Sequence, residues 1–526
     1  MTAARDEVWD ETWDEIVVGA GTAGAIVAGR LSADPGRRVL LLEDGRDPGP
    51  PPAAGAPDDR AGIPVLTGHH WDLTAHLGAR PGGPETLTGY PLGRTVGGTA
   101  AVNGAIALRG LPEDFDGWAA AGNPDWAWDR VLPHYVRLES DADFKGDDHG
   151  QDGPVPIRRT PAAEYSPLAG AFVRACRDLG LPERPDLNGG TGGGTGGGTG
   201  GGTGEGFGPI PRNERDGRRM STDRTHLAAA RSRGNLRVRG GCRVVRVLLD
   251  RGRATGVEVA TDGGRTETIA AGRVVLAAGG IGTPVVLQRS GIGDPRRLAA
   301  AGIDPLVELP GVGGGLAEHP AVPILSTPAP GVCRAGDPWY EVMARSPGVG
   351  LVMASNVTTA DVPRVGPMLG GRIAAMVSTV LLAPRSRGSV AAAGPDPGTP
   401  PVIALGLATD EADVRALMDG VRTAWAILRS APMRELAGRT IVWTDRMVGD
   451  DALLARALAR WVTPLFHASG TARMGADAGA VVDQRCRVHG VDGLVVCDAS
   501  VMPAPVSAPP ALSCMMIGER VAAWMA

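Results

Sequence analysis

The chain has 526 residues, of which 43% are hydrophobic and 21% charged, with a formal net charge of −5. That length supports two or more lobes around large cores, and so balanced a charge excludes a protein built to hold nucleic acid or an anionic membrane surface. Six scattered cysteines (Cys176, Cys242, Cys333, Cys486, Cys497 and Cys514) form no C-x-x-C pair and no tight Cys/His cluster, so unpaired thiols in a reduced, cytoplasmic protein without a metal are expected.

Met1 to Asp14 is polar and acidic, unlike a secretory signal, and no apolar run reaches the length of a membrane span. Asp14 to Val18 then reads as a short buried strand. It is followed by Gly19-Ala20-Gly21-Thr22-Ala23-Gly24 and the first turns of a helix. The pattern is G-x-G-x-x-G. Gly19 permits the sharp turn, Gly21 leaves room for a pyrophosphate, and Gly24 lets helix and strand pack closely. The helix start offers unpaired N–H groups to phosphates, with Thr22 and Ala23 at its mouth. A second buried strand, Val39 to Leu42, ends at Glu43, an acid placed to accept hydrogen bonds from a ribose diol. An acid there points to FAD or NAD rather than NADP.

The proline-rich stretch from Asp47 to Pro57 is a loop. His69 and His70 are neighbours that a strand would send to opposite faces, and no third ligand lies nearby, which argues against a metal. Gly93 to Ala105 is a second glycine-rich turn entering a helical pattern, either a capped helix start or a place where backbone N–H groups and Asn103 donate toward a phosphate or ring edge. The tryptophans between Leu111 and Glu139 read as core. A helix from Ala171 to Leu179 should bury Phe172, Val173, Cys176 and Leu179. The Gly/Thr run over 189–206 cannot bury apolar area and reads as a flexible surface insertion.

Leu236 to Arg239, Arg243 to Leu249 and Thr255 to Val259 alternate like a meander. Arg273 to Gly280 is another buried strand and glycine turn, a return strand for the dinucleotide sheet. Thr283 suits the N-cap of the following helix and Pro284 its first turn. Between Leu309 and Thr463, strand-like segments at Ile373 to Leu382 and Ser389 to Ala392 alternate with proline-rich loops. A helix over Asp410 to Arg429 carries an apolar stripe. The end of the chain holds Phe466-His467-Ala-Ser-Gly-Thr-Ala-Arg-Met-Gly475. A buried strand from Leu494 to Cys497 places Asp498 at its carboxyl end, where ligands bind in open parallel sheets. The last helix starts near Ala511.

Five blocks in order, VVGAGTAGAIVAGRLS, GRTVGGTAAVNGAIALRG, LAAGGIGTPVVLQRSGIG, HASGTARMG and DASVMPAP…MMIGERVA, resemble those of the glucose–methanol–choline oxidoreductases. These are FAD-dependent alcohol oxidases and dehydrogenases. Only the region 310–440 matches weakly, as a substrate-fitting region would. The resemblance implies an α/β fold: a Rossmann-like FAD-binding domain from 1–160, 221–310 and 464–526, and an α+β substrate-binding domain on an antiparallel sheet from 161–220 and 311–463.

It also implies site roles. Gly19, Gly21, Gly24 and Glu43 would hold the ADP half of FAD, with Val244 near the adenine and Ala278 and Gly279 along the nucleotide path. Arg94, Gly98 and Asn103 would lie along the pyrophosphate and flavin, Asp498 and Ala499 by the pyrophosphate and ribityl chain, and Pro510 completes the set. Members with covalently bound flavin carry a histidine just before the asparagine. Val102 stands there, so a noncovalent cofactor is expected.

His467 would be the base that takes the alcohol proton while flavin N5 takes the hydride. The family's second polar residue, a histidine or asparagine near the last helix, falls on Pro509, which has no side-chain donor or acceptor. Ser507 or Ser513 substitutes, or His467 works alone, or the alcohol-oxidising step is altered. The expected partners are a small alcohol and an electron acceptor, oxygen or another. Two rival readings stay open: a hydroxynitrile-lyase-like, non-redox enzyme on the same fold, and a dehydrogenase passing electrons to a specialised redox carrier.

Overall fold

In the computed structural model, residues 12–49, 58–65, 68–78, 86–189, 205–261, 266–334, 336–346, 348–358 and 373–526 are described. Most of the Gly/Thr run expected to be a flexible insertion lies outside them, as does much of the loop from Asp47 to Pro57.

The first sheet grows from β1 (Trp13–Val18) and β2 (Val39–Leu42), parallel neighbours joined through helix α1 (Gly24–Leu31). Its parallel part runs Leu236–Arg239, β2, β1, Thr266–Leu276 and Leu494–Val496. The strand Thr266–Leu276 serves two ladders. Its first half pairs antiparallel with Arg253–Thr261, which pairs with Cys242–Asp250, and its second half pairs parallel with β1. Leu236–Arg239 therefore is not part of the meander: it lies parallel to β2 at the far edge of the sheet. Local alternation cannot distinguish the two, because pairing is set by what the strand meets.

β1, β2 and α1 are buried almost throughout, as strands covered on both faces must be. The helix Ala511–Met525 packs on α1 and is buried nearly all round, so it reads as a core helix rather than an amphipathic one. Its Glu519 accepts from Arg30 at 2.8 Å and meets His226 Nε2 at 2.7 Å.

The second sheet is antiparallel: Arg439–Thr440, Pro320–Thr327, Ile373–Leu381, Val349–Thr358, Tyr340–Ser346 and Gly206–Pro209, with Thr463–Pro464 also on Pro320–Thr327. Side chains alternate across it. Val342, Ala344, Leu351, Val377 and Leu381 pack against helices Pro167–Asp178 and Glu411–Arg429. Met343, Arg345, Val352, Ser378 and Val380 face a cavity between the two sheets. The helix Glu411–Arg429 starts on Asp410, whose side chain accepts Ala412 N–H at 2.7 Å, and buries Leu417, Val421, Trp425 and Leu428.

Three local expectations are corrected. Leu179 follows the helix Pro167–Asp178 and is 47% exposed, because the chain turns before it reaches the core. The turn after Gly93 enters only a 3₁₀ segment, Gly98–Ala101. Thr283 lies within the helix Gly279–Arg289 rather than at its cap, and its hydroxyl accepts Ala278 N–H at 3.1 Å and donates to Asp498 at 2.5 Å.

Candidate active site

A cavity of about 690 Å³ runs from the carboxyl ends of β1 and β2 to the inner face of the antiparallel sheet. Its first half is a backbone cradle. Gly19 has φ +98°, and a Cβ there would lie 2.5 Å from the Ala277 carbonyl oxygen. A Cβ at Gly24 would lie 1.9 Å from Gly19 O, which is why helix and strand approach so closely; Gly24 packs and does not line the cavity. Gly98 comes from the second glycine turn, and its Cβ would be 2.6 Å from Gly21 Cα. Two distant glycine turns thus meet backbone to backbone. Gly21 itself has only Gly98 Cα, at 3.8 Å, near its would-be Cβ, so its open side is the side a phosphate would use. The start of α1 has no side-chain cap, and Thr22 and Ala23 line the cavity beside its unpaired N–H groups.

Glu43 closes this end. Each carboxylate oxygen accepts one backbone N–H, from Ala20 and from Gly45, both at 2.9 Å, and burial pushes its pKa up to about 7. Lone pairs remain on both oxygens for a diol. Next to it, Asp44 pairs with Arg94 and with Arg243, and both guanidiniums lie over Trp71, at 5.1 and 5.0 Å from the ring centre. Arg94 lines the cavity with its guanidinium paired to Asp44 beside the ribose acid. Val244 and Gly279 line the wall, as do Ala278, Ala499 and Pro510. Asn103 also lines it; its Oδ1 accepts Ala105 N–H at 2.9 Å, which leaves Nδ2 as the donor end. Buried Asp498 accepts from Gly279 N at 2.8 Å, Ser500 N at 2.8 Å and the Thr283 hydroxyl. The cradle, the uncapped helix start and the ribose acid fit FAD.

His467 lines the other half, and a second histidine, His319, stands against it. Their Nδ1 atoms are 2.9 Å apart and their rings nearly perpendicular, at 87°. A bulged ladder brings them together. Ala317 and Ser469 exchange hydrogen bonds of 2.9 and 3.0 Å, and Pro320 pairs with Pro464. Between these bridges one strand has residues 318 and 319, while the other has 465–468. The surplus is a bulge that re-aims a side chain, and Phe466 absorbs it with φ +65°. The Phe466 ring is held edge-on by Tyr90, at 5.3 Å between centres.

Buried Glu318 fastens the bulge from below. It accepts N–H groups from His467 and His319 at 2.9 Å and from Leu465 at 3.3 Å, and it accepts the Tyr90 hydroxyl. Burial pushes its pKa up to about 7 against the pull of these donors. Burial likewise pulls His319 down to about 4, and holds His467 well below the usual histidine range, helped by His319. Both imidazoles are neutral at pH 7.

The candidate second partners separate. Ser507 lines the cavity, but its hydroxyl donates to Asp114 Oδ1 and its N–H to Asp114 Oδ2, both at 2.7 Å. Ser513 does not line the cavity: its hydroxyl is buried against the Tyr135 hydroxyl at 2.6 Å, which removes it from the catalytic set. Sequence reasoning missed Glu318, His319 and Arg345, the last of which also lines the cavity. His69 and His70 form no metal group. Among the described residues, potential ligand atoms converge only at Glu139, Asp141 and His149. That cluster is an ion network, with Arg109 on Glu139 at 2.7 Å and Arg159 on Asp141 at 2.9 Å and on Asp186 at 2.7 Å. His149 sits among the three carboxylates, which hold its pKa up at about 11 despite burial.

Among the described residues no helix is long and apolar enough to cross a membrane. Residues 13–321 match the N-terminal domain of GMC oxidoreductases and residues 384–518 the C-terminal domain. The chain is 33% identical over 542 residues to 5-(hydroxymethyl)furfural oxidase of Methylovorus sp., covering 98% of each. It is 31% identical over 559 residues to an oxygen-dependent choline dehydrogenase of Burkholderia pseudomallei, covering 97% of this chain and 93% of the other. The crystal structure of pyridoxine 4-oxidase from Mesorbium loti superposes with a TM-score of 0.83 at 29% identity, covering 98% of this chain and 99% of that one. Both domain matches fall in order on one chain with full-length relatives, and the chain therefore belongs to the GMC oxidoreductases, FAD-dependent enzymes of the alcohol oxidase and dehydrogenase type.

Proposed function

We propose that this enzyme oxidises the CH–OH group of an alcohol to a carbonyl, with His467 as the base. The observation that carries this is the pairing of His467 with His319 in the same cavity as the dinucleotide cradle. Bound FAD supplies the hydride acceptor, N5 of its ring. The protein's part is to remove the hydroxyl proton and to hold the alcohol carbon still.

The histidine pair sets which nitrogen does this. Only one of the two Nδ1 atoms carries the shared proton. The Leu382 and Val506 carbonyls raise the affinity of the His319 ring for a proton, and we assign that proton to its buried Nε2, the nitrogen that does not meet His467. With its proton on Nε2, His319 accepts at Nδ1 and His467 donates from Nδ1. His467 Nε2 then keeps its lone pair for the alcohol. His319 thereby takes over the positioning that Pro509 cannot give, which favours oxidation over the lyase reading. The cofactor is noncovalent, because Val102 has no atom that bonds to the ring. Related proteins named as an oxidase or as oxygen-dependent make oxygen the first acceptor to test. We assign 1–160, 221–310 and 464–526 to the FAD lobe and 161–220 and 311–463 to the substrate lobe.

Replacing the base tests the reading. His467→Ala should purify yellow but bleach with alcohol about a hundredfold more slowly or worse in anaerobic stopped flow. Unchanged bleaching would remove His467 from the role.

A further inference from the structure

We propose that Arg345 is the substrate-recognising cation of this cavity and that the alcohol it selects carries a carboxylate. The inference rests on the alcohol-oxidising reading above and adds the substrate's charge.

Six arginines are buried among the described residues: Arg109, Arg159, Arg212, Arg219, Arg345 and Arg520. Five reach acceptors. Arg109, Arg159 and Arg212 pair with carboxylates, while Arg219 and Arg520 donate to backbone carbonyls. Arg345, 3% exposed, is the exception: its Nε and Nη2 are buried with no hydrogen-bond partner, and no carboxylate lies within ion-pair distance among the described residues. Asp114 is the acid whose charge reaches it, but Leu111 N, Ser507 N and Ser507 Oγ already hold that carboxylate. Burial lowers Arg345 only to about 10, so it stays a cation at neutral pH. An unmet buried guanidinium weighs against the fold, and a ligand that supplies the acceptor recovers that cost on binding.

The surroundings define the ligand. Arg345 sits on the cavity face of the antiparallel sheet, and its neighbour across the ladder is Gly350, which brings no side chain of its own against it. The wall beside it, Met343, Val352, Met376 and Val380, is apolar but for the Ser378 hydroxyl. Residues 506–507 bear on both ends: Val506 acts on the proton affinity of His319, and Ser507, which lines the cavity, holds Asp114, the acid whose charge reaches Arg345. A single planar cation with two adjacent N–H groups suits a carboxylate, which it can hold by two parallel bonds. The fitting molecule has an apolar body with a CH–OH group toward His467 and a carboxylate toward Arg345.

The test compares 4-(hydroxymethyl)benzoate with benzyl alcohol on the FAD-loaded enzyme. The parent should favour the acid in kcat/KM by about tenfold or more, and Arg345→Met should lower that ratio about 10–100-fold. Arg345→Lys, which keeps the charge in the wall if the apolar variant does not fold, should lower it less. Titrating the flavin absorbance with benzoate gives a second readout, in which Kd should rise with loss of the guanidinium. An acid-to-alcohol ratio and a benzoate Kd that Arg345→Met and Arg345→Lys leave as in the parent would overturn the proposal while alcohol oxidation stands. If neither alcohol bleaches the parent but benzoate binding still depends on Arg345, the anion site stands and the oxidation reading falls.

Discussion

Two buried polar clusters of this chain obey opposite rules. In the network of Arg109, Glu139, Asp141, His149, Arg159 and Asp186, each charged side chain meets an opposite charge, at 2.7–3.2 Å in the closest pairings. In the cavity, Arg345 has no acceptor, and the histidines have one contact between them and neutral rings. Burial is similar in both. The difference lies in charge: every charge of the network is matched inside it, although Arg109 Nε, Arg159 Nε and Glu139 Oε2 make no hydrogen bond, whereas Arg345 has no counter-charge in contact. Matched charge marks a brace, and an unmatched one marks a candidate site.

The comparison breaks most visibly at Arg159. Arg159→Met removes the cation from Asp141 and Asp186 and should cost about 3–5 kcal/mol of stability, read by denaturant unfolding. Turnover per folded, flavin-loaded molecule should stay at the parent value. The network also has a pH signature. The raised His149 pKa means its stabilisation is full below about pH 6.5 and fades as pH rises toward 11, whereas the lowered Asp141 and Asp186 pKa values mean theirs is full above about pH 4 and fades below it. The parent's unfolding midpoint should peak between these limits, and the peak should flatten in the variant.

A smaller effect is expected at His319. His319→Ala should slow flavin reduction about 10–100-fold, as loss of an orienting partner does, with little change in unfolding. The parent's kcat/KM should hold down to a pH below the ordinary histidine value of 6.5, because the depressed His467 pKa keeps the base neutral there. In the variant, water entering beside the ring should move that acid limb upward. An unmoved limb would make His319 a packing residue only. Smallest is Ser513→Ala, which loses one hydroxyl contact with Tyr135. It should cost about 1 kcal/mol of stability and leave turnover unchanged; a large rate loss would return Ser513 to the site.

The cradle could be read from the sequence because each of its devices is local. Gly19 to Gly24 turn within six residues, Glu43 ends its own strand, and Asp498 ends another. The other wall could not. His319 meets His467 across 148 residues, through a bulge that exists only when two strands pair. One signal was available: the chain has nine histidines, and His319 follows a glutamate directly before a proline-led apolar strand. Arg345 gave none, since an arginine in an alternating strand reads as a solvent-facing residue until the sheet shows which face is covered. Ser513 failed for the converse reason. Its place near the last helix suggested the site, but a buried tyrosine hydroxyl claims it. Leu236–Arg239 shows the same limit in the fold, because alternation reports a strand and not its neighbour.

The bulge at 465–468 also sits on a seam. Pro320–Thr327 belongs to the antiparallel sheet, whereas the chain just past His467 is hydrogen-bonded to the segment after Leu494–Val496, Gly470 N–H to Ala499 O and Ala472 N–H to Ser500 O. The two imidazoles are thus presented from the join between the sheets, where main-chain pairing of Ala317 with Ser469 and of Pro320 with Pro464 sets how far apart they stand. Lengthening or shortening the chain by one residue between 465 and 468 would misplace His467 without touching either hydrophobic interior.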